Sequence, residues 1–518
     1  MAKQERTYAQ ILKSSSIVGG AQVINYLIGM LRTKVVAVLL GPSGVGLVGL
    51  YVSATELVGT VTGLGIASSG VRNVVEANST GDTEKIASTI KTLRRVCWFT
   101  GILGWLLTAA LSYPLSRWAF GAGDRALSIA VLGATLLFSA VAGGQKALIQ
   151  GTRRIGDLAR LSVFGAIAST FVAAALYAWL GDKGIVPVLL CTAALNLGAS
   201  WWFARRIPTM PIPQKWAETF KSSKRLVSIG LAFMYGSLLA ALVGLAIRGI
   251  IVRQLGLDAN GIYQAAWGLS GMFGSFILNA MGADFYPRLT AVAEDDAQVN
   301  RLVNEQIEVG VLLALPGLLA TLALAPWLMT VFYSAKFVEG AQLLPWFVLG
   351  VFFQVVSWPW GMIQMAKGAT KWMYFGRTSG NLMLFVFSVL MIPKCGLLGL
   401  SWAFSLFALL HGAIAAFAAY RLARYNVFCG PRQLFSLSFL LVGIAFVSQT
   451  QMKGTWALIV GVVVTMIGSL ISLRGICRRL GFQHRIVVFA LRIPGIWRIL
   501  GSNCDTKLKD TTNNDEEQ

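Results

Sequence analysis

Acidic side chains are scarce in this chain: 22 Asp and Glu stand against 44 Lys and Arg, and charge of either sign makes up only 13% of 518 residues. With 56% hydrophobic residues and a mean hydropathy of +0.67, so little charge excludes an ordinary water-soluble domain. Histidine is almost missing. His411 and His484 are too few and too far apart for a metal cluster or a catalytic triad. The six cysteines, Cys97, Cys191, Cys395, Cys429, Cys477 and Cys504, contain no CxxC pair, so neither a disulfide framework nor a zinc site is expected. No GxxxxGK[ST] loop is present, which removes ATP hydrolysis within the chain. Gly44, Gly46 and Gly49 spell GxGxxG, but the run bridges two apolar segments and follows no strand, so a dinucleotide site is not expected either. The chain is read as a non-enzyme that needs no cofactor and no metal. Alternating short strands are absent too, which disfavours a membrane barrel.

What the chain has instead is long apolar runs. About fourteen reach the ~20 residues needed to cross a hydrocarbon core about 30 Å thick. They lie near 12–40, 47–74, 93–113, 127–149, 158–180, 184–204, 226–254, 261–287, 303–333, 341–366, 373–393, 397–420, 434–450 and 455–474. The fold class is therefore an all-α polytopic membrane protein. Basic residues gather at alternate ends of these runs, with Lys85, Lys91, Arg94, Arg95, Arg205 and Arg206 on one side and few such as Arg117, Arg125 and Lys183 on the other. Cytoplasmic loops retain Lys and Arg, so both termini are predicted to be cytoplasmic, and the first span, following Lys3, Arg6 and Lys13, acts as an uncleaved signal. The sequon Asn78, Ser79, Thr80 then faces the cytoplasm and carries no sugar. The formal charge of +22 is accounted for by this loop bias and by anionic lipid head groups. Membrane lipids are expected partners and nucleic acid is not.

A weak internal repeat runs at an offset of about 215 residues. Leu40, Gly41, Gly46 and Leu47 match Leu255, Gly256, Gly261 and Ile262, Arg72 corresponds to Arg288, Gly151 and Arg160 match Gly368 and Arg377, and Arg205 matches Arg421. Six spans per copy is an even number, which makes the copies parallel repeats around an axis normal to the bilayer. The predicted organisation is a six-helix lobe over 1–206, a Pro-rich cytoplasmic linker over 207–224, a second six-helix lobe over 225–425 and two additional transmembrane helices over 426–475. A basic amphipathic segment and a disordered polar tail follow over 476–518.

The charges inside the spans point to function. A charge at a membrane helix centre costs roughly 2.5–3.5 kcal/mol even on the lenient insertion scale, so it usually faces a watery interior. Arg32 and Lys34 lie in the first span, Arg248 and Arg253 in the seventh, and Glu56 in the second. Gln22, Asn25, Gly29 and Arg32 share one face of the first helix at i, i+3, i+4, i+7 spacing. Ser53, Glu56, Thr60 and Gly63 form a similar stripe on the second. Counted from the outer loops, Arg32, Arg248 and Glu56 lie roughly 12–15 Å deep at about 1.5 Å per residue, which suggests one site. A buried Arg/Glu pair that holds the lobes together is the competing reading. Nearer the cytoplasm, Lys146 either serves function or snorkels, and Asp284 stands four residues before Arg288 within pairing reach. Gln150, Gln354, Trp358, Trp360, Gln364 and Asn381 offer amides and rings to a sugar, or anchor the interface.

On its runs GPSGVGL (Gly41 to Leu47), NGIYQ (Asn260 to Gln264), FYPRL (Phe285 to Leu289) and KFVEGAQLLPWFVLG (Lys336 to Gly350), the chain resembles the Wzx-type polysaccharide flippases of the multidrug, oligosaccharidyl-lipid and polysaccharide exporter superfamily. The resemblance covers about residues 10–425 and is strongest to O-antigen and enterobacterial common antigen translocases. It implies a bilobed bundle in the bacterial inner membrane. That bundle would move undecaprenyl-diphosphate-linked oligosaccharide to the periplasmic leaflet, with a polysaccharide polymerase and a chain-length regulator as candidate partners. By position, Lys34, Arg153 and Arg248 match basic residues of that branch. The two extra spans and basic tail depart from its usual twelve. A lipid II flippase, a small-molecule exporter of the same superfamily and a non-transporting scaffold for polysaccharide assembly remain alternatives.

Overall fold

The apolar runs fold as long helices because hydrocarbon offers a backbone no hydrogen-bond partner but itself. The computed structural model describes residues 2–480 apart from Arg153, Thr209, Pro211 and Lys453, and for residues 2–19 and a few others, Asp284 among them, it describes the backbone alone. The basic segment and tail expected beyond residue 480 lie outside the described residues. Among the described residues all regular structure is helical. The helices are α1 (Ala2–Gly63), α2 (Ile66–Ser79), α3 (Thr83–Ala110), α4 (Ser112–Phe120), α5 (Ala126–Gly151), α6 (Ile155–Leu180), α7 (Ile185–Ala204) and α8 (Trp216–Leu255). They continue with α9 (Leu257–Ala291), α10 (Asp296–Ala323), α11 (Ala325–Phe332), α12 (Leu344–Ala366), α13 (Thr370–Ala423), α14 (Cys429–Gln451) and α15 (Thr455–Leu480).

By length and composition, nine described helices can cross a membrane, or ten if the bent pair α3 and α4 counts as one span. This differs from the fourteen apolar runs partly because three of the nine are far longer than one crossing needs: Gly20–Gly63, Ile155–Ala204 and Thr370–Ala423 have 44, 50 and 54 residues. Each is interrupted inside at a glycine with positive φ. Gly41 has φ 69° and ψ −169°, Gly181 has φ 55° and ψ −134°, and Gly396 has φ 56° and ψ −137°, conformations open to glycine and costly for other residues. Other runs are cut where the sequence reading kept them whole. The second breaks at Leu64 and Gly65, both at positive φ, the third bends by 60° after α3, and the ninth divides into α10 and α11. Residues 216–224, expected in a linker, are the first turns of α8.

The backbone itself carries the sequence repeat. Gly41 and Gly256 share their conformation, with φ 69° and 91° and ψ −169° and 175°. Gly181 and Gly396, the same interval apart, agree within a few degrees in both angles.

The described chain divides into two compact units interleaved in sequence. The first holds Met1–Ala266, Pro326–Leu343 and Arg377–Ala403, so α8, which opens the second repeat, belongs to it; the second holds the rest. Within the first, Leu93, Ala147, Leu148 and Leu161 form part of a buried core, and small residues let α3 and α5 approach: a side chain at Gly144 would meet Cys97 and one at Gly101 would meet Leu137. Its outer faces are apolar. Phe171 and Trp179 are 72% and 80% exposed, which suits a lipid surround and not water.

Within the second unit, the two C-terminal helices pack on α10. Gly461, Gly468 and Gly475, spaced by seven along α15, face Ala323, Leu319 and Leu312 of α10. On α14, Phe435 stacks on Phe352 of α12 at 5.8 Å. Asn300 and Asn304, one turn apart on α10, tie down the connection after α13: Asn300 donates to Ala423 O (2.9 Å) and accepts from Asn426 N (2.8 Å). Asn304 donates to Asn426 O (2.9 Å) and accepts from Tyr425 Oη (3.1 Å) and Phe428 N (3.0 Å).

Candidate functional site

The two matching glycine turns that open the repeats lie against each other in the first unit. A side chain at Gly46 would fall on Leu257 O and Gly261 N, and one at Gly261 would fall on the carbonyl of Pro42. Asn260 Nδ2 donates to Gly46 O at 2.8 Å across this contact. Glycine at both positions is what lets two backbones pass so closely.

Arg248, about two turns before the end of α8, reaches the helices that leave this crossing. Its Nη1 donates to Gln264 Oε1 on α9, and both atoms occupy the space that a side chain on Gly49 would fill. Gly49 and Gln264 are repeat partners, so one copy supplies a gap and the other a long amide to bridge it. Glu56 lies two turns further along α1 from Gly49 and acts electrostatically on Arg248, as does Tyr263, without forming an ion pair. Glu56 is exposed and Arg248 half-buried. The arrangement is a guanidinium oriented by a neutral amide, with a carboxylate close but not bonded. Such a cation keeps donors for an anion.

Of the residues singled out in the sequence, Arg248 and Glu56 come together. Lys34, Arg253, Asn25 and Arg72 have partners of their own. Lys34 Nζ donates to Thr330 O at 2.7 Å in the last turn of α11. Arg253 donates to the carbonyls of Arg117, at 3.1 Å, and Trp118, and lies 5.6 Å from the Trp118 ring, which fixes the end of α4. Arg32 is exposed and interacts electrostatically with Tyr177 of α6. Asn25 donates to Ser162 Oγ at 2.9 Å and Gln22 is exposed. Arg72 pairs with Glu76 one turn on at 2.9 Å. Lys146 is half-buried on α5, beside Gln145, which accepts from Ser200 Oγ at 2.5 Å. Arg288 is exposed near the end of α9, whereas Arg153 and the side chain of Asp284 lie outside the described residues. Among the described residues no group of three or more His, Cys, Asp and Glu could hold a metal.

Sequence reasoning missed Gln264 as the partner of Arg248, although it ends the Asn260 to Gln264 run. The usable signal was its repeat counterpart, a glycine opposite a long polar side chain.

A family model described as polysaccharide biosynthesis protein matches residues 35–342, more than half of the chain. The chain belongs to this family. The matched segment contains Glu56, Arg248 and Gln264 and begins one residue after Lys34. Among curated relatives of this family member, the lipid III flippases of Escherichia coli K12 and Shigella flexneri are each 21% identical over 402 residues, covering 76% of this chain and 94% of the relative. Among solved structures, the lipid II flippase MurJ in an inward closed conformation matches with a TM-score of 0.66 at 13% identity, over 89% of this chain and 99% of that one. An inward-facing multidrug resistance MATE transporter of the MOP superfamily matches with a TM-score of 0.63 at 15% identity, over 78% and 96%. The chain shares its fold with these two solved proteins.

Proposed function

We propose that this protein is a flippase that carries undecaprenyl-diphosphate-linked oligosaccharide from the cytoplasmic to the periplasmic leaflet of a bacterial inner membrane, with both termini cytoplasmic. The observation that carries this reading is Arg248 held by Gln264 over Gly49, with Glu56 near but unbonded. A diphosphate cannot cross hydrocarbon bare, and a guanidinium offers it paired, charge-assisted hydrogen bonds in place of water. In this reading Arg248, with Arg32 and Lys34 as further cations, takes the diphosphate in an inward-open state, and the lobes defined by the sequence repeat then rock outward. Glu56 competes for Arg248 when the site is empty, and exchange of its charge for a proton or a cation resets the cycle. An exporter of cationic drugs would want a predominantly acidic site, and here the hydrogen-bonded charge at the crossing is basic. Membership of a polysaccharide family and likeness to lipid-linked substrate flippases point the same way.

The test is genetic. Expression in a bacterium lacking its own polysaccharide flippase is expected to restore surface polysaccharide, and Arg248→Glu to abolish restoration at an unchanged membrane level of protein. Full restoration by Arg248→Glu would refute the role of this arginine. Rescue of a strain lacking its lipid II flippase, without restored polysaccharide, would reassign the substrate.

A further inference from the structure

Away from Arg248, α3, α5 and α7 of the first unit leave a cavity of about 690 Å³, lined by buried Cys97 and Gly144 and half-buried Gln145, with Arg94, Arg205 and Gly198 exposed at its edge. A second hollow of about 560 Å³ shares Arg94 and Trp98 with it and continues toward Lys91, Arg95 and Trp216. Among the described residues no acidic side chain lines either. Two of the four cations are already spent on structure: Lys91 donates to Ile212 O (2.5 Å), and Arg95 to Gln214 O (2.9 Å) and Thr219 Oγ1 (2.8 Å), with Arg95 also 4.6 Å from the Trp216 ring. They strap the segment before α8 to α3. The other two have no counter-ion among the described residues. Among the described residues Arg94 makes no side-chain hydrogen bond or ion pair, and Arg205 only stacks, 3.6 Å from the Trp202 ring and 5.0 Å from that of Trp201.

Each of these two arginines sits one turn from a tryptophan that also lines the cavity, Arg94 before Trp98 on α3 and Arg205 after Trp201 on α7, and the two rings are 49% and 53% exposed. Tryptophan marks the boundary between hydrocarbon and head groups, and arginine reaches past it to water and phosphate. The cavity thus has cations at its mouth, rings at its rim and an apolar interior. At the exposed edge, an added Cβ on Gly198 would meet nothing within 4 Å.

We propose that this cavity is a binding site for an anionic glycerophospholipid of the surrounding leaflet, its phosphate between Arg94 and Arg205 and an acyl chain in the apolar chamber. A free phosphate would leave that chamber unfilled, and a zwitterionic lipid would bring its own cation to two unpaired guanidinium groups. The proposal rests on the membrane reading of the chain and is independent of the transported substrate. Bound there, the lipid completes the packing of α3, α5 and α7 below the strap that leads to α8.

The test uses the full chain, purified in detergent and delipidated, with native mass spectrometry against added phosphatidylglycerol or phosphatidylcholine. Phosphatidylglycerol is expected to remain bound where phosphatidylcholine does not. The Arg94→Gln/Arg205→Gln variant should weaken it by tenfold or more, since a hydrogen bond to a charged group is worth about a factor of ten or above. Gly198→Leu, which points a side chain into open space, should displace the lipid without loss of thermal stability. Arg301→Gln on α10 and Arg248→Glu should bind it as the parent does. Equal retention of the two lipids, undiminished binding by both cavity variants, or displacement by millimolar inorganic phosphate or by an equimolar polyprenyl diphosphate would overturn the proposal.

Discussion

The side chain of Arg248 is placed by what its neighbours lack. Gly49 supplies a gap, Gln264 fills it from the other repeat, and the guanidinium lies against both. Gly49→Leu is therefore expected to push Arg248 off Gln264 and to destabilise the protein by about 1–3 kcal/mol through overpacking. Thermal unfolding in detergent reads the stability and the polysaccharide rescue reads the function; a variant that behaves as the parent in both would contradict the arrangement. Gln264→Leu removes the acceptor of a charged donor, at a cost of about 1.5–3 kcal/mol, and unchanged unfolding would show the bond to be idle. The charges themselves were legible in the sequence, because an arginine or glutamate inside an apolar run stands out on cost alone. Their partners were not. Lys34 and Arg253 end on backbone carbonyls of α11 and α4, acceptors that every residue carries and that only tertiary structure selects.

Helices were legible where hydrophobicity is continuous and illegible where they break. The run through residues 47–74 reads as one span, yet Leu64 and Gly65 at positive φ divide it, and a side chain at Gly65 would fall on Gly230 of α8. That close approach is the physical reason for the break, and a single helix pattern contains no trace of it. The extra helices give an element test. Gly468 of α15 lies where any side chain would strike Leu319 of α10, so Gly468→Leu should cost about 1–3 kcal/mol, read as a lowered unfolding temperature, whereas an unaffected midpoint would mean that α15 is not seated on α10. At the start of α10, Asp295 caps the helix, and hydrogen bonds from the backbone N–H of Gln298 first, then from its side chain and from Ala297 N–H, hold the carboxyl below its ordinary range. A lowered folded value means that this support is complete above the ordinary carboxylate range and is lost as pH falls through the lowered one. Hydrogen exchange in the first turn of α10 should accelerate over that acidic window, and Asp295→Asn, which still caps, should flatten the response.

At the scale of the molecule, the repeat joins sequence to mechanism. An offset of about 215 residues was readable from a handful of glycines, and the matching backbone angles at Gly41 and Gly256 show what that pair does, while Gly181 and Gly396, not paired in the sequence, add a second match. The fold class was equally legible, since composition alone leaves few ways to bury so much apolar surface. The lobe boundaries follow from the repeat and are part of the proposed mechanism, in which two six-span halves alternate around an anionic head group held by Arg248. The most direct measurement of that claim is flipping in proteoliposomes. A fluorescent polyprenyl-diphosphate-linked oligosaccharide is placed in one leaflet and its appearance in the other is followed. The account predicts transfer by the parent protein and transfer no faster than in protein-free vesicles for Arg248→Glu reconstituted at the same density and with the same unfolding temperature. Parent-like transfer by that variant would contradict it.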